Sequence, residues 1–263
     1  MCLGDISARS QDQMILNLQG CDIPIHESQD FKDFSEIGTG GYASVYTAHW
    51  KITKTKLAIK QFFESSTKEI KEIIINEIHL MEIMRKKVIF HPNIIKFYGI
   101  TKLKDEINYA MILEYADGGT LGKYLRDNAE SFKWENQLKF ANDIASAILW
   151  LHDNDIIHRD LHPNNILIHQ HSIKLADFGC NASSIQLEIL KGTREMPVSA
   201  TNRIFVNLYK ECWEHEPEER PDIDQVILRL NSIPKSHFDS KENEESEIID
   251  ELDLSDCDVQ LYY

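Results

Sequence analysis

The stretch from Ile157 to Gly179 constrains this chain more than any other, because it sets acidic and amide side chains beside short apolar runs. It reads IHRDLHPNNILIHQHSIKLADFG. Asp160 is placed as a carboxylate that could accept a proton from a hydroxyl group. Asn165 and Asp177 offer the oxygen ligands that Mg²⁺ prefers. The stretch therefore predicts loops that carry a general base and a magnesium site.

A second candidate site is the glycine-rich loop between two predicted strands. Glycines have no Cβ, so the backbone of such a loop can lie close against phosphate groups. Taken alone, the loop also fits a plain hairpin turn or a dinucleotide-binding fingerprint. The fingerprint requires a helix to begin inside the loop, whereas SVYTAHW continues as strand and Ala43 replaces the last glycine of the pattern. The phosphate-binding candidates are Ile37, Gly38, Thr39, Gly40, Gly41, Tyr42, Ala43, Ser44 and Val45.

The hydrophobic period changes along the chain and predicts a mixture of strands and helices. Segments rich in valine, isoleucine and aromatic residues indicate strands. Segments in which apolar residues recur every three or four positions are typical of amphipathic helices. Strands are predicted at residues 34–60, 94–101 and 107–116, and helices at residues 68–87, 134–153, 204–213 and 222–232.

Lys60 ends an apolar strand and has a predicted partner in the helix that follows. A lysine in this position is usually a surface residue whose charged end reaches water. Glu77, however, falls on the same side of its helix as Ile74 and Ile78, where an unpaired carboxylate would be costly. A pair between Lys60 and Glu77 would remove that cost and leave the ammonium group available to orient phosphates.

Taken in order, these motifs resemble those of the protein kinase family: a glycine loop, A-I-K, a helix glutamate, H-R-D-x-x-x-x-N and D-F-G. The resemblance extends over about residues 34–180 and again over about 185–232. It implies a two-lobed α+β fold. A small lobe would consist of an antiparallel β-sheet with one helix, and a large lobe would be mainly helical.

The resemblance assigns a role to each chemistry-bearing residue. Lys60 and Glu77 correspond to the conserved ion pair of the family, and Asp160 corresponds to its catalytic base. Asn165 and Asp177 correspond to the residues that hold its magnesium ions. The implied cofactors are therefore ATP and Mg²⁺.

The resemblance also places an adenine-binding hinge at Leu113–Ala116, which reads LEYA. Glu114 and Ala116, together with Ala58 of the A-I-K motif, are the residues expected to contact the base. His162 stands where serine/threonine kinases usually carry lysine and tyrosine kinases usually carry alanine or arginine. That pattern resembles the tyrosine-kinase-like group and leaves the acceptor hydroxyl, serine, threonine or tyrosine, open.

The large lobe is expected to be incomplete. In the family, an activation loop, an A-P-E motif and a central buried helix follow D-F-G, but residues 185–197 resemble a segment that normally precedes the final helices. The chain thus resembles a kinase with an internal deletion, joined near Cys180–Ser184. Three consequences follow. The platform that the activation loop forms for a protein substrate would be missing, although the ATP side is complete. Arg220 would lack its A-P-E glutamate partner, and the apolar face of the helix at residues 134–153 would be exposed.

These considerations divide the chain into three parts. Residues 1–30 are predicted to form an N-terminal extension and residues 235–263 an acidic tail. Between them lies a kinase-like domain, with a small lobe and hinge at residues 31–116 and the truncated large lobe at residues 117–234.

Composition excludes several classes of partner. The net charge is −15, and residues 235–263 carry ten acidic residues against two lysines, so the chain would repel nucleic acid. The five cysteines form no C-x-x-C pair, which favours reduced thiols. The first residues lack the apolar run of a signal peptide. No apolar run approaches the roughly 20 residues that span a bilayer. We therefore expect a cytoplasmic protein without a membrane partner.

The expected function is ATP-dependent transfer of phosphate to a protein hydroxyl in intracellular signalling. The alternatives are an ATP-binding pseudokinase, or a truncated isoform that binds a partner without transferring phosphate. The protein substrate and the oligomeric state are left open by the sequence.

We predict that limited proteolysis removes the residues after about 235 first, because an acidic segment of low complexity is expected to be solvated. Brief digestion followed by mass spectrometry should yield a fragment that ends near this position. Protection of the tail would show instead that it is docked on the domain.

Overall fold

The computed structural model describes residues 22–63, 68–87, 90–103, 109–129, 131–178 and 201–234. A sheet-rich part is followed by a mainly helical part, which confirms the predicted α+β fold. Several features predicted from the sequence lie outside the described residues. They are most of the N-terminal extension, Gly179, the junction at residues 180–184, the segment at residues 185–197 and the acidic tail.

Six strands form the sheet of the first part. In chain order they are β1 (Ile25–Glu27), β2 (Phe31–Thr39), β3 (Ala43–Trp50), β4 (Lys56–Phe62), β5 (Phe97–Lys102) and β6 (Tyr109–Glu114). Their order across the sheet is β1-β5-β6-β4-β3-β2. β1 and β5 are parallel, and the other neighbours are antiparallel. The three predicted strand regions are confirmed, although β5 begins later than expected.

Strand β1 corrects the assignment of residues 1–30 to an extension, since Ile25–Glu27 pair with β5. A strand of three residues is too short to give a periodic signal. Gly99 of β5 has a φ of 134°, and a Cβ at this position would collide with the carbonyl oxygen of Pro24. Glycine is therefore required where the chain before β1 crosses β5.

The sheet curls until its two edge strands approach each other. β1 and β2 lie at opposite edges, yet only the single 3₁₀ turn Ser28–Asp30 joins them. The edges of a flat six-stranded sheet would be about 24 Å apart, whereas the four chain steps from β1 to β2 span at most about 14 Å. His26 accordingly packs against Trp50, with ring centroids 5.0 Å apart. The apolar cluster within the curl consists of Phe31, Ala48, Leu57, Ile59, Ala110 and Ile112.

The opposite face of the sheet packs against helix α1, Lys68–Arg85. Ile74, Ile78, Met81 and Met84 are buried there in the main hydrophobic core, which confirms the helix predicted at residues 68–87. This core continues from the sheet into the second part of the molecule.

The second part contains α2 (Leu121–Asp127), α3 (Trp134–Asp153), the hairpin of β7 (Ile166–His169) and β8 (Ser172–Leu175), α4 (Arg203–Cys212) and α5 (Ile223–Ser232). The helices predicted at residues 134–153, 204–213 and 222–232 are confirmed. Asp222 begins α5 with a capping box, because its side chain accepts from the N–H of Gln225 while the Gln225 side chain accepts from the N–H of Asp222. Among the helices described, none is both long enough and apolar enough to cross a membrane.

Helix α3 has two apolar faces, and both are largely covered. Phe140, Ala147 and Leu151 are buried in the main core. The neighbouring face, which includes Trp134 and Leu138, is covered by the C-terminal helices α4 and α5 through a cluster with Leu208 and Leu230. The expected exposure of this helix is therefore wrong for these residues, because elements distant in sequence pack on each face. Ile144 and Ile148, between the two faces, are only partly buried.

Arg220 has hydrogen-bond partners within the chain, although the sequence predicted that it would lack its A-P-E glutamate. Its Nε donates to the carbonyl of Glu214 at 2.7 Å, and its Nη2 donates to the carbonyl of His215 at 2.9 Å. Backbone acceptors thus satisfy the guanidinium group, which closes the connection between α4 and α5.

We predict that Leu230→Ala lowers the free energy of unfolding by about 2–5 kcal/mol, because it would leave a cavity between α5 and α3. Leu230 is 3% exposed, whereas Leu228 on the same helix is 76% exposed. Leu228→Ala is therefore the matched control, with an expected change below about 0.5 kcal/mol. Urea denaturation followed by circular dichroism would measure both. Equal effects of the two substitutions would contradict the docking of α5 on α3.

Candidate active site

Lys60 lies between two carboxylates, one buried and one partly exposed. Its Nζ donates to Glu77 Oε1 and to Asp177 Oδ1, each at 2.7 Å. Glu77 comes from α1, and Asp177 follows β8. The structure thus brings together the lysine and the glutamate that the sequence paired, and it adds the aspartate of the D-F-G motif to the same ammonium group.

The pKa values of this pair reflect competition between burial and attraction. Burial by itself lowers the pKa of Lys60, but the attraction of Glu77 and Asp177 and the hydrogen bonds to them outweigh it, so the pKa lies above its ordinary value. Burial raises the pKa of Glu77, while the charge of Lys60 opposes that rise. Lys60 therefore stays protonated at neutral pH, and it is the group that makes an ionised Glu77 tolerable inside the core.

Asp160 and Asn165 lie together in the loop between α3 and β7. Asn165 Nδ2 donates to the carbonyl of Asp160 at 2.9 Å and to its Oδ2 at 3.1 Å. These bonds use the amide nitrogen and leave the amide oxygen of Asn165 for another partner. The N–H of Ala176 donates to the carbonyl of Asn165 at 2.9 Å, which sets the segment leading to Asp177 beside this loop.

The backbone around these residues is held in an unusual conformation. Arg159 and Asp177 have φ values of 67° and 57°, in the left-handed region that non-glycine residues rarely adopt. Neighbouring contacts hold the two segments together. His158 Nε2 donates to the carbonyl of Ala176 at 3.1 Å, and the His158 ring lies 4.7 Å from that of Phe178. Burial lowers the pKa of His158, which favours the neutral ring in this packing.

The glycine-rich loop is the turn of the β2–β3 hairpin. Thr39 and Ser44 face each other across it, with their hydroxyl oxygens 3.0 Å apart. A Cβ at Gly38 or Gly41 would meet no atom within 4 Å among the described residues, so the space beside the loop backbone is open. Because β3 continues as a strand from the loop, the dinucleotide fingerprint is excluded. The hairpin geometry fits both a plain turn and a loop that covers phosphates.

The predicted hinge, Leu113–Ala116, begins in the last two residues of β6, beside the strand that carries Ala58. Ala58 lies opposite Leu113 in the pairing of β4 with β6, and Ala116 comes two residues after β6 ends. The carboxylate of Glu114 accepts from Lys174 Nζ at 2.9 Å. Sequence reasoning missed this lysine, because a single lysine in the apolar run Ile-Lys-Leu of β8 reads as an outward-facing strand residue.

Lys60→Met would leave Glu77 buried without its cation. Relative to the wild type, we predict that this variant loses stability as the pH rises above about 4.3, the ordinary pKa of glutamate. A carboxyl group whose pKa is raised in the folded chain binds its proton more tightly there than in the unfolded chain, so its contribution to stability decreases with rising pH. Denaturation at a series of pH values would measure the slope.

The control for this experiment is Lys60→Met combined with Glu77→Gln. Glutamine cannot ionise, so the additional slope should vanish in the double variant. Persistence of the slope would mean that Glu77 is not its source.

Comparison with known proteins identifies the family to which the chain belongs. The sequence profile of the protein kinase domain matches residues 31–196, more than half of the chain. A probable serine/threonine-protein kinase of Dictyostelium discoideum is 33% identical over 150 residues, which are 57% of this chain and 16% of that protein. The leaf rust 10 disease-resistance locus receptor-like protein kinase-like 1.2 of Arabidopsis thaliana is 33% identical over 156 residues, 58% of this chain and 23% of that protein.

A viral relative aligns over a longer part of the chain. A putative serine/threonine-protein kinase/receptor of Acanthamoeba polyphaga mimivirus is 27% identical over 259 residues, 76% of this chain and 15% of that protein. The chain spans less than a quarter of the length of each of these three proteins. These serine/threonine and receptor-like kinases are consistent with the tyrosine-kinase-like group. Since the profile match includes every residue of the site described above, the chain belongs to the protein kinase family.

Proposed function

We propose that this chain binds ATP with Mg²⁺ and transfers the γ-phosphate to a hydroxyl group of a protein substrate. The observation that carries the proposal is the position of Lys60, whose ammonium group is buried between Glu77 and Asp177 at 2.7 Å from each. Such an ammonium group is already oriented before a nucleotide arrives. Positioning and charge stabilisation supply most of the catalysis in phosphoryl transfer.

The small lobe would hold the nucleotide. Lys60 would contact its phosphates while Glu77 fixes the direction of the lysine side chain. The glycine loop would cover the phosphates with its backbone, which has open space beside Gly38 and Gly41. The base would lie against Ala58 and the hinge. The carboxylate of Glu114 is engaged by Lys174, so any contact of Glu114 with the base would come from its backbone.

Asn165 and Asp177 are the residues that would hold magnesium. Their amide and carboxylate oxygens are hard ligands, and the Asp177 side chain is 44% exposed. In the part of the chain that the structure describes, no cluster of three His, Cys, Asp or Glu side chains could hold a metal ion by itself. This donor set fits an ion that takes its remaining ligands from phosphates and water. An Mg²⁺ ion held there would supply the positive charge that phosphoryl transfer requires.

Asp160 would accept the proton of the substrate hydroxyl. Its carboxylate is held in place by the amide of Asn165 at 3.1 Å, so one residue would both orient the base and help to bind the metal. This coupling would keep the base close to the metal-bound phosphate that the substrate hydroxyl attacks.

A second candidate function is nucleotide binding without phosphate transfer. Only residues 180–219 lie between the D-F-G motif and Arg220. The mimivirus alignment extends over 259 residues, although 76% of this 263-residue chain is about 200, so on the order of 60 viral residues align with none here. The short connection supports the proposal of an internal deletion after D-F-G, and the excess of viral residues supports its size. The nucleotide-binding residues all precede this deletion, whereas the surface that holds a protein substrate would follow it.

Two measurements on the same protein separate these functions. We predict that Mg-ATP at about 100 times its Kd raises the Tm by about 5–10 °C, because a ligand that binds only the folded state stabilises it by mass action. Lys60→Met should abolish the shift. Transfer of radiolabelled phosphate to a generic protein substrate would then test the chemistry.

The outcomes differ for each function. Transfer that disappears in Asp160→Asn supports the kinase. A thermal shift without transfer supports nucleotide binding alone. If Mg-ATP leaves the Tm of the folded wild type unchanged, both functions are wrong.

A further inference from the structure

Lys174 is a buried lysine that the proposed reaction does not use. It lies in β8 between Ile173 and Leu175, both fully buried. Its side chain is 9% exposed, and that of its partner Glu114 is 16% exposed. Charges removed from water are costly unless they are paired. A lysine kept in this position therefore depends on Glu114, and Glu114 depends on it.

Three hydrogen bonds with two residues, Lys96 and Lys174, hold Glu114 at the end of β6. Its N–H donates to the carbonyl of Lys96 at 2.9 Å. Its Oε2 accepts from the N–H of Lys96 at 3.3 Å and from Lys174 Nζ at 2.9 Å. The two contacts with Lys96 join Glu114 to a neighbouring segment of the same sheet. The contact with Lys174 is different, because it reaches a strand of the β7–β8 hairpin.

Strand β8 leads directly to the metal-binding end of the site. Asp177 follows Lys174 by three residues. The strand is anchored by the N–H of Leu175, which donates to the carbonyl of Asn93 at 2.8 Å, and by the N–H of Ile95, which donates to the carbonyl of Leu175 at 2.9 Å. These two hydrogen bonds therefore fix the strand that carries Lys174.

We propose that Lys174 is a positioning residue for the nucleotide base. It acts through Glu114 and fixes the hinge backbone against β8, the strand that precedes Asp177. Because Lys60 orients the phosphates and Lys174 the hinge, the two lysines govern opposite ends of the nucleotide. This inference rests on the nucleotide-binding function proposed above and deepens it.

Calorimetric titration with adenosine and with Mg-ATP tests the proposal. Lys174→Met should weaken both ligands by the same factor, roughly tenfold, as expected for residues coupled through a direct contact. Lys60→Met should weaken Mg-ATP more than adenosine, since adenosine has no phosphate. The control is Lys123→Met, which breaks an exposed pair with Asp127 and should leave both affinities unchanged.

A second variant distinguishes positioning from a purely structural role. Lys174→Met combined with Glu114→Gln leaves no buried charge unpaired, so its stability to urea should recover relative to Lys174→Met. Its affinity for adenosine should stay low, because the hinge is no longer tied to β8. If Lys174→Met does not fold, the double variant supplies the measurement.

Three results would overturn the inference. Wild-type affinity for adenosine in Lys174→Met would show that the hinge does not need this lysine. Affinity that recovers together with stability in the double variant would show that Lys174 serves only the fold. If the folded wild type binds neither adenosine nor Mg-ATP, the proposed function fails, and the inference fails with it.

Discussion

Lys60 joins three segments that are far apart in the chain, because its buried ammonium group is held between Glu77 of α1 and Asp177 after β8. A buried cation is stable only when carboxylates and hydrogen bonds replace the water it has lost. The sheet and the helix must therefore bring Lys60 and Glu77 to one point for these two buried charges to be tolerated. The partly exposed Asp177 adds a second carboxylate to the same ammonium group. The same condition raises the pKa of Lys60 above its ordinary value. The packing that stabilises the fold thus also keeps Lys60 protonated, as the proposed chemistry requires.

In the second part of the molecule, both the main core and the C-terminal helices pack on helix α3. One of its faces completes the main core with Phe140 and Leu151, and the adjacent face carries the C-terminal helices through Trp134 and Leu138. The loop with Asp160 follows directly after the end of α3 at Asp153. Because the helix is fixed on both faces, it provides a rigid start for that loop even in a chain with few residues between the D-F-G motif and Arg220.

Two buried pairs of lysine and carboxylate mark the two ends of the candidate site. Lys60 contacts Glu77 at the end proposed to bind phosphate, and Lys174 contacts Glu114 at the predicted hinge. Both lysines lie on strands, and both partners come from another element. Such pairs add little net stability over apolar packing, but they impose direction. Each ammonium group can be satisfied in only one arrangement of the elements that surround it. In the proposed function, the Lys60 pair would orient a charge toward the nucleotide, whereas the Lys174 pair would orient the hinge backbone.

The sequence by itself determined the family, the longer strands and four of the helices, but it missed the short elements β1, α2, β7 and β8. The bounds of α3, Trp134–Asp153, follow from a strong three- and four-residue period, and the inward position of Glu77 follows from its place beside Ile74 and Ile78. Each of these signals lies within a single segment, so it can be read without knowing how the chain folds. Only the tertiary structure decided that Lys174 reaches Glu114, that Asp177 joins Lys60 and Glu77, and that α5 covers α3. Each of these contacts joins residues 60 or more positions apart. A contact of this kind depends on how the whole chain packs rather than on the hydrophobic period of any one segment.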